Sequence, residues 1–538
     1  MISPEKAGLR GIRIYLAVIF SITLLTSSIF AGQDREILRA VRKGDVKKVQ
    51  QFLDEGIDVN GVYNDHVLLN YAVRKEEYKI SKLLINAGAD VNRFFDDRSP
   101  LIEAVRSYEE PIAELLIEKG ARLDLADKDG NTPLMHAVRQ DEFKAVKFLM
   151  ECGADQNLKN NRGKTAFEYV DRYHETPLLD YINKMKILHH NVDTLPDMFD
   201  GPHVYLKDDN RIRVEYFRHD SSLNKTWKTF RHFPVINDTV SFQGFAGDTN
   251  AYHLNLAFEK ASEHVPGAPK IFTVGDVHGK IASVNKLLTI QNIIDDNGNW
   301  SFGHGHLIFT GDVFDRGSKV TEMLWFIHEL KYKALKHGGD VHLLLGNHEI
   351  MAMTRDYRYL NTKYLFFSQY FFREYSSWYN EATYMGKWLR HRNVTMKIDH
   401  KLFVHAGFSP RILNQKLSLK EINTIFQLHL SGKKYSIPYI QDLLVSGDGP
   451  LWYRGYTTQK TEYTEVREAL VEKTLAFYDA TKLIVGHTPQ YTIKPLFGHR
   501  VYAIDVPIGQ EGYLAQGLLI DGDVFYKCSE NGQCVKIK

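Results

Sequence analysis

The sequence predicts a multidomain chain in which an all-α solenoid of helical repeats precedes an α/β domain with a central sheet flanked by helices. Three observations carry this expectation. The 538 residues exceed what one ordinary core holds, so two or three domains are expected. A self-similar pattern steps through the N-terminal third every 32 to 33 residues. From about residue 269, short apolar runs alternate with helix-like stretches, and each run ends in a turn rich in Asp, Asn, His and Gly. Hydrophobic residues at 43% and charged residues at 25% exclude a largely disordered chain. With 68 Lys and Arg against 66 Asp and Glu, the formal charge of +2 gives no case for nucleic-acid binding.

Taken in order, residues 1–31 read as an export signal. Lys6, Arg10 and Arg13 precede a charge-free stretch from Ile14 to Gln33 in which the small Ala31 suits cleavage. About 20 charge-free residues also just span a bilayer, so a membrane anchor is the alternative. Five Ser or Thr between Ser21 and Ser28 dilute the span and favour cleavage. This reading places the protein in the periplasm or outside the cell.

Residues 34–185 carry the repeat. Ala40-Val41, Ala72-Val73, Ala104-Val105 and Ala137-Val138 align, as do Gly56, Gly88, Gly120 and Gly153. Between them lie second-helix patterns such as Ser81-Lys-Leu-Leu-Ile85 and Ala113-Glu-Leu-Leu-Ile117. The set, with Gly130-Asn-Thr-Pro-Leu134, resembles ankyrin repeats: the glycine ends the second helix, and the alanine lets neighbouring helix pairs stack. Four repeats and a partial fifth from Gly163 imply a surface for an unidentified protein partner.

Residues 195–268 read as a β-rich linker, either an adaptor or a lid. Val204–Leu206 and Arg211–Tyr216 alternate like strands, residues 221–251 suggest loops, and Ala251–Ser262 suggests a helix. Pro266-Gly-Ala-Pro269 punctuates the opening of the last domain, residues 269–538. Three cysteines occur. Cys528 and Cys534 flank a turn at Asn531-Gly532 and are either bridged in an exported protein or two free thiols.

Five turns of the last domain carry the chemistry: Gly275-Asp-Val-His-Gly279, Gly311-Asp-Val-Phe-Asp-Arg-Gly317, Gly346-Asn-His-Glu349, Val404-His-Ala-Gly407 and Gly486-His-Thr-Pro489. One such turn is commonly structural. Five in order, each just past an apolar run, supply carboxylates, imidazoles and an amide oxygen without a thiolate. That donor set suits a pair of divalent transition metals, and a carboxylate can bridge ions about 4 Å apart.

The ordered set resembles the calcineurin-like metallophosphoesterases, and the Gly311–Gly317 and Gly346–Glu349 blocks resemble their phosphoprotein phosphatase branch. Gly346–Met351 followed by Asp356-Tyr-Arg-Tyr359, with Gly449-Pro-Leu-Trp-Tyr-Arg-Gly455, resembles the Shewanella-like phosphatases. One departure is that Arg355 stands where that subfamily usually has glycine before Asp-Leu-Arg-Tyr.

The resemblance implies a central β-sandwich flanked by helices and two divalent ions (Mn, Fe or Zn). Asp276, His278 and Asp312 would hold the first ion. Asp312 would bridge to the second, completed by Asn347, His405 and His487. It further implies direct attack on phosphorus by a water activated between the ions. Arg316 and Arg454 would grip phosphate oxygens, and His348, oriented by Asp315, would protonate the leaving group. Glu349, Asp356 and Arg358 are read as supporting residues, and His304 and His306 as outside the site.

The activity expected is hydrolysis of a phosphoprotein, leaning toward phosphotyrosine, with the repeats recruiting or restricting the substrate. A hydrolase of dinucleoside polyphosphates or other small molecules is the rival enzyme. An inactive ankyrin scaffold is the rival of another class, and the complete ligand set argues against it.

Overall fold

The computed structural model describes residues 32–106, 108–170, 177–181, 195–457 and 468–538. The segment read as an export signal lies outside the described residues. Among them, no helix is long and apolar enough to cross a membrane. The chain forms two compact units: one runs to Pro196 and includes His219–Lys228, the other comprises Asp197–Arg218 and Thr229–Lys538.

In the first unit helices pair along the chain, from a helix over 32–42 with Val46–Asp54, through Leu68–Arg74 with Tyr78–Asn86 and Pro100–Arg106 with Glu110–Glu118, to Pro133–Arg139 with Phe143–Glu151. Each pair presents its alanine to the next, and Ala72, Ala104 and Ala137 are at most 2% exposed. The repeat glycines end the second helices with φ from 85° to 95°, a left-handed cap that glycine adopts without a Cβ clash. Neighbouring repeats are stitched by side chain to backbone bonds. Asn60 accepts from Asp90 N–H and donates to Gly88 O, Asn92 does the same with Arg122 and Gly120, and Asp124 accepts from Asp155 N–H.

The second unit is built on two six-stranded sheets. The first has the order β17-β16-β15-β7-β8-β9, where β7 is Lys270–Val274, β8 His306–Phe309, β9 Asp340–Leu343, β15 Gln516–Asp521, β16 Val524–Ser529 and β17 Cys534–Lys536. The second has the order β13-β14-β12-β11-β10-β6, with β6 His264–Val265, β10 Thr395–Ile398, β11 Lys401–Val404, β12 Lys482–Val485, β13 Lys494–Leu496 and β14 Val501–Ala503. Within them β7, β8 and β9 run parallel, as do β11, β12 and β14. The facing sides share one core, in which Ile271, Ile308, Leu518 and Ile520 meet Met396, Phe403, Ile484 and Tyr502. Burial on both faces explains why β7, β8, β11 and β12 read as continuous apolar runs.

Residues 197–268 differ from the sequence expectation in two ways. The stretch 221–251 is not all loop: β3 is Lys225–Pro234 and β4 is Thr239–Gln243, preceded by β1 (Met198–Lys207) and β2 (Arg211–Asp220). Nor is Ala251–Ser262 helical. Ala251–Asn255 is strand β5, paired antiparallel with β4, with Tyr252 and Leu254 buried on one face. Helix-favouring Ala, Leu, Lys and Glu set the expectation, and burial against a partner strand overrode it. This segment belongs to the second unit apart from the tip of the β2–β3 hairpin. Trp325 Nε1 donates to Pro202 O at 2.8 Å, and Lys363 Nζ donates to buried Asp200 at 2.9 Å. At the C-terminus Cys528 and Cys534 are bridged across β16 and β17, with Gly532 in the turn between them.

Candidate metal centre and active site

Every predicted metal ligand leaves a strand at its C-terminal end. β7 delivers Asp276 and His278, β8 delivers Asp312 followed by Asp315 and Arg316, and β9 leads to Asn347 and His348 on the first turn of helix Asn347–Met353. From the second sheet β11 delivers His405 and β12 His487. Strands that are parallel neighbours end side by side, so their loops gather at one edge of the sandwich. All six predicted ligands, with Asp315 and His348, are buried. Arg316 is exposed and Arg454 half-buried.

Two groups of three side chains bring ligand atoms within 4.8 Å of one another: His278, Asp312 and His348, and Asp312, His405 and His487. Asp312 is common to both. Its Oδ1 accepts the His348 N–H at 3.0 Å, and its Oδ2 lies 3.3 Å from His405 Nε2. Asn347 Oδ1 is 3.0 Å from the same nitrogen. Asp276 accepts the backbone N–H of His487 at 3.1 Å, which ties the first sheet's loop to the second's.

Ring orientation is set by backbone carbonyls. His278 Nδ1 donates to Phe314 O at 2.8 Å and His405 Nδ1 to Thr310 O at 2.9 Å, which turns each Nε2 toward the centre. His487 Nε2 and Asp315 Oδ1 are buried with no hydrogen-bond partner among the described residues. A buried polar atom without a partner is costly unless another group meets it. Orphaned imidazole nitrogen beside carboxylate and amide oxygens, with no thiolate, fits a divalent transition ion.

The protonation equilibria are pushed in opposite directions. Burial, followed by the carboxylates of Asp505 and Asp312, holds Asp276 well above the usual carboxylate range. Burial also opposes ionisation of Asp312, yet the imidazoles of His405 and His348 outweigh it and hold Asp312 well below that range. For His405, burial is outweighed by Asp312 and Asp276, which raise it to about 10. His487 is pushed down to about 2 by burial and then by His405 and Arg454. Opposed shifts on touching groups mark a site built for charge.

His348 is set up differently from the other imidazoles. Its Nδ1 lies 2.6 Å from Asp315 Oδ2, and its Nε2 lies 3.7 Å from Asp312. Burial lowers its pKa, but Asp312 and Asp315 together raise it above the ordinary value. Arg454 Nη1 donates to His487 O at 3.3 Å, at the rim of the centre. The Arg316 backbone N–H donates to Tyr359 O at 3.0 Å, and the Tyr359 ring stands 5.2 Å from that of His348.

The supporting residues divide in two. Glu349 accepts four backbone N–H groups, from Asp312, Val313, Phe314 and Gly346, at 2.6 to 3.1 Å. Asp356 and Arg358 pair with each other at 2.7 Å on the surface. His306 pairs with His342 and belongs to neither ligand group. Gly346 has no room for a side chain, since a Cβ there would lie 2.7 Å from Asp312 N and 2.9 Å from the His405 ring.

One buried acid escaped the sequence reading. Asp505, 3% exposed, follows β14 and sits against Asp276, with its carboxyl raised to about 6 by burial and the Asp312 charge. The run Val501–Ile504 before it is the same strand-end signal as the other five.

Comparison with known proteins agrees with this geometry. Residues 269–491 match the calcineurin-like phosphoesterase family, and residues 93–160 match ankyrin repeats. The chain is 30% identical over 258 residues to Shewanella-like protein phosphatase 1 of Plasmodium berghei, covering 47% of this chain and 70% of the relative. It is 34% identical over 94 residues to Shewanella-like protein phosphatase 2 of Arabidopsis thaliana, covering 18% of this chain and 24% of that one. The crystal structure of a cold-active protein-tyrosine phosphatase from a psychrophilic Shewanella superposes with a TM-score of 0.57 at 30% identity, covering 63% of this chain and all of that one. With the strand-end ligands in place and both domains matched, the chain belongs to the Shewanella-like branch of the calcineurin-like phosphoesterases, fused to ankyrin repeats, and is a metal-dependent phosphoric monoester hydrolase that uses two divalent ions.

Proposed function

We propose that the protein removes phosphate from phosphoproteins, with phosphotyrosine as the preferred residue. The observation that carries this is the pair of ligand groups that share Asp312, the first of which includes His348, whose Nδ1 is in turn coupled to Asp315 at 2.6 Å. Asp276, His278 and Asp312 would hold one ion, and Asp312, Asn347, His405 and His487 the other. When bound, the ions supply Lewis acidity and a nucleophilic water at neutral pH. The chain's own groups do the rest. Arg316 and Arg454 clamp the phosphate oxygens with forked guanidiniums. His348 delivers its proton from Nε2 to the leaving oxygen, and Asp315 holds the ring and steadies its charge. The half-exposed Tyr359 ring beside His348 offers an aryl leaving group an apolar wall. The related Shewanella enzyme, a protein-tyrosine phosphatase, supports that preference.

The ankyrin unit recruits the substrate protein, and the N-terminal segment sends the enzyme out of the cytoplasm. Turnover of a phosphotyrosine peptide, a phosphoserine peptide and a dinucleoside polyphosphate, with metal content determined on the same sample and manganese added, tests the reading. Highest kcat/KM on the phosphotyrosine peptide is expected. Preference for the dinucleotide would establish a small-molecule hydrolase, and a metal-loaded but inactive sample a scaffold.

A further inference from the structure

Arg355 is explained neither by the core nor by the metal centre. Its φ is +73°, in the left-handed region that glycine enters freely and a residue with a Cβ enters at a cost. Such outliers are held by the structure around them and cluster at ligand clamps and active sites. Its ion pair with Glu374, 2.9 Å long, is exposed on both sides and of little stabilising value.

The guanidinium lines a surface cavity of about 420 Å³ together with Arg373, Arg390, Glu374, Ser376 and Asn380. Three arginines line it with one carboxylate, Glu374, and a second carboxylate, Glu215, pairs with Arg373, which leaves one positive charge in excess. Arg373 leans on Glu215 at 2.8 Å. Arg390 is anchored by the carbonyls of Tyr379 and Gly386 at 2.6 and 2.9 Å, and the acid acting on it, Glu381, lies beyond ion-pair distance. Forked guanidiniums with surplus positive charge, beside a hydroxyl and an amide, make a phosphate-binding surface.

The cavity also lies within reach of the metal centre. Its Met353 wall ends the seven-residue helix that starts at Asn347, so Met353 lies about 9 Å along the axis from that predicted ligand at a rise of ~1.5 Å per residue. An extended peptide covers that distance in about three residues.

We propose that this cavity is a subsite for a second phosphoryl group, and that the enzyme favours peptides phosphorylated at two residues about three positions apart. The inference rests on the phosphoprotein reading above. The test compares full-length protein and Arg355→Gly on p-nitrophenyl phosphate and on three peptides. Each peptide carries one phosphotyrosine and, three residues away, alanine, glutamate or phosphoserine.

The doubly phosphorylated peptide is expected to have a KM about tenfold below that of the alanine peptide, at similar kcat, with the glutamate peptide between them. Arg355→Gly relieves the backbone and keeps Tm and p-nitrophenyl phosphate turnover, so loss of that tenfold advantage isolates the guanidinium. Equal KM values for the three peptides, or an advantage that survives Arg355→Gly, overturns the subsite. If p-nitrophenyl phosphate is cleaved and no peptide is, the phosphoprotein reading fails instead. The subsite is then decided by anisotropy binding of the labelled doubly phosphorylated peptide, where equal affinity for both proteins overturns it.

Discussion

Asp312 cannot be replaced by any other acid of the centre, because it alone stands in both ligand groups. Asp312→Asn keeps the shape and removes the charge, so metal and activity should be lost together. Metal analysis of the purified variant checks this, and full occupancy would refute the bridging role. His348 should behave otherwise. His348→Asn is expected to retain both ions and lose about 10²–10⁴ in rate, with the deficit growing as the leaving group's pKa rises. A deficit independent of leaving group would make His348 a ligand rather than a proton donor. At this scale the sequence displayed the chemistry of each turn but not its backbone. His278, Asp312, Asp315, Arg316 and His487 all have φ between 41° and 65°. These left-handed conformations are imposed by the fold around them, and nothing in the residue types announces them.

Among elements, the helix Asn347–Met353 works as a clamp through Glu349. Four N–H groups from the turns after β8 and β9 converge on one buried carboxylate, so the two turns cannot drift apart. Glu349→Ala should cost about 3 kcal/mol in urea unfolding and lower metal content, because it strands buried donors. β9 carries a second consequence. Burial pushes His342 down to about 3, against an ordinary 6.5, so the folded chain stays neutral where the unfolded chain takes up a proton. A depressed histidine stabilises above pH 6.5 and loses that contribution as pH falls toward 3, by about 1.4 kcal/mol per pH unit. The urea midpoint should therefore drop between pH 6.5 and 5, and drop less steeply in His342→Gln. An identical slope in the variant would exclude this imidazole as the source. Elements with strong periods were legible: the helix Val320–Leu335 and the apolar runs of β7, β8, β11 and β12 form where their patterns put them. β4 and β5 were not, because a five-residue strand gains its stability from its partner rather than from its own composition.

For the whole molecule, the two units keep the metal centre and the helical repeats on different stretches of the chain. All the ligands come from residues after Asp197, and the helical repeats lie before it. Removing residues 34–185 should leave p-nitrophenyl phosphate turnover within about twofold while raising KM for a protein substrate. Equal loss on both would show that the repeats support the folded site. The repeat spacing, the alternation of apolar runs with helices, and the Asp, Asn and His of five successive turns were determined by the sequence itself, since each is a local pattern of one to thirty-odd residues. Only the tertiary structure decided that two parallel strand sets from separate sheets end at one edge, that Asp505 joins Asp276 there, and that three arginines surround one cavity. Those juxtapositions link residues tens to hundreds of positions apart, and strand pairing across that distance is a property of the packed core rather than of any segment within it.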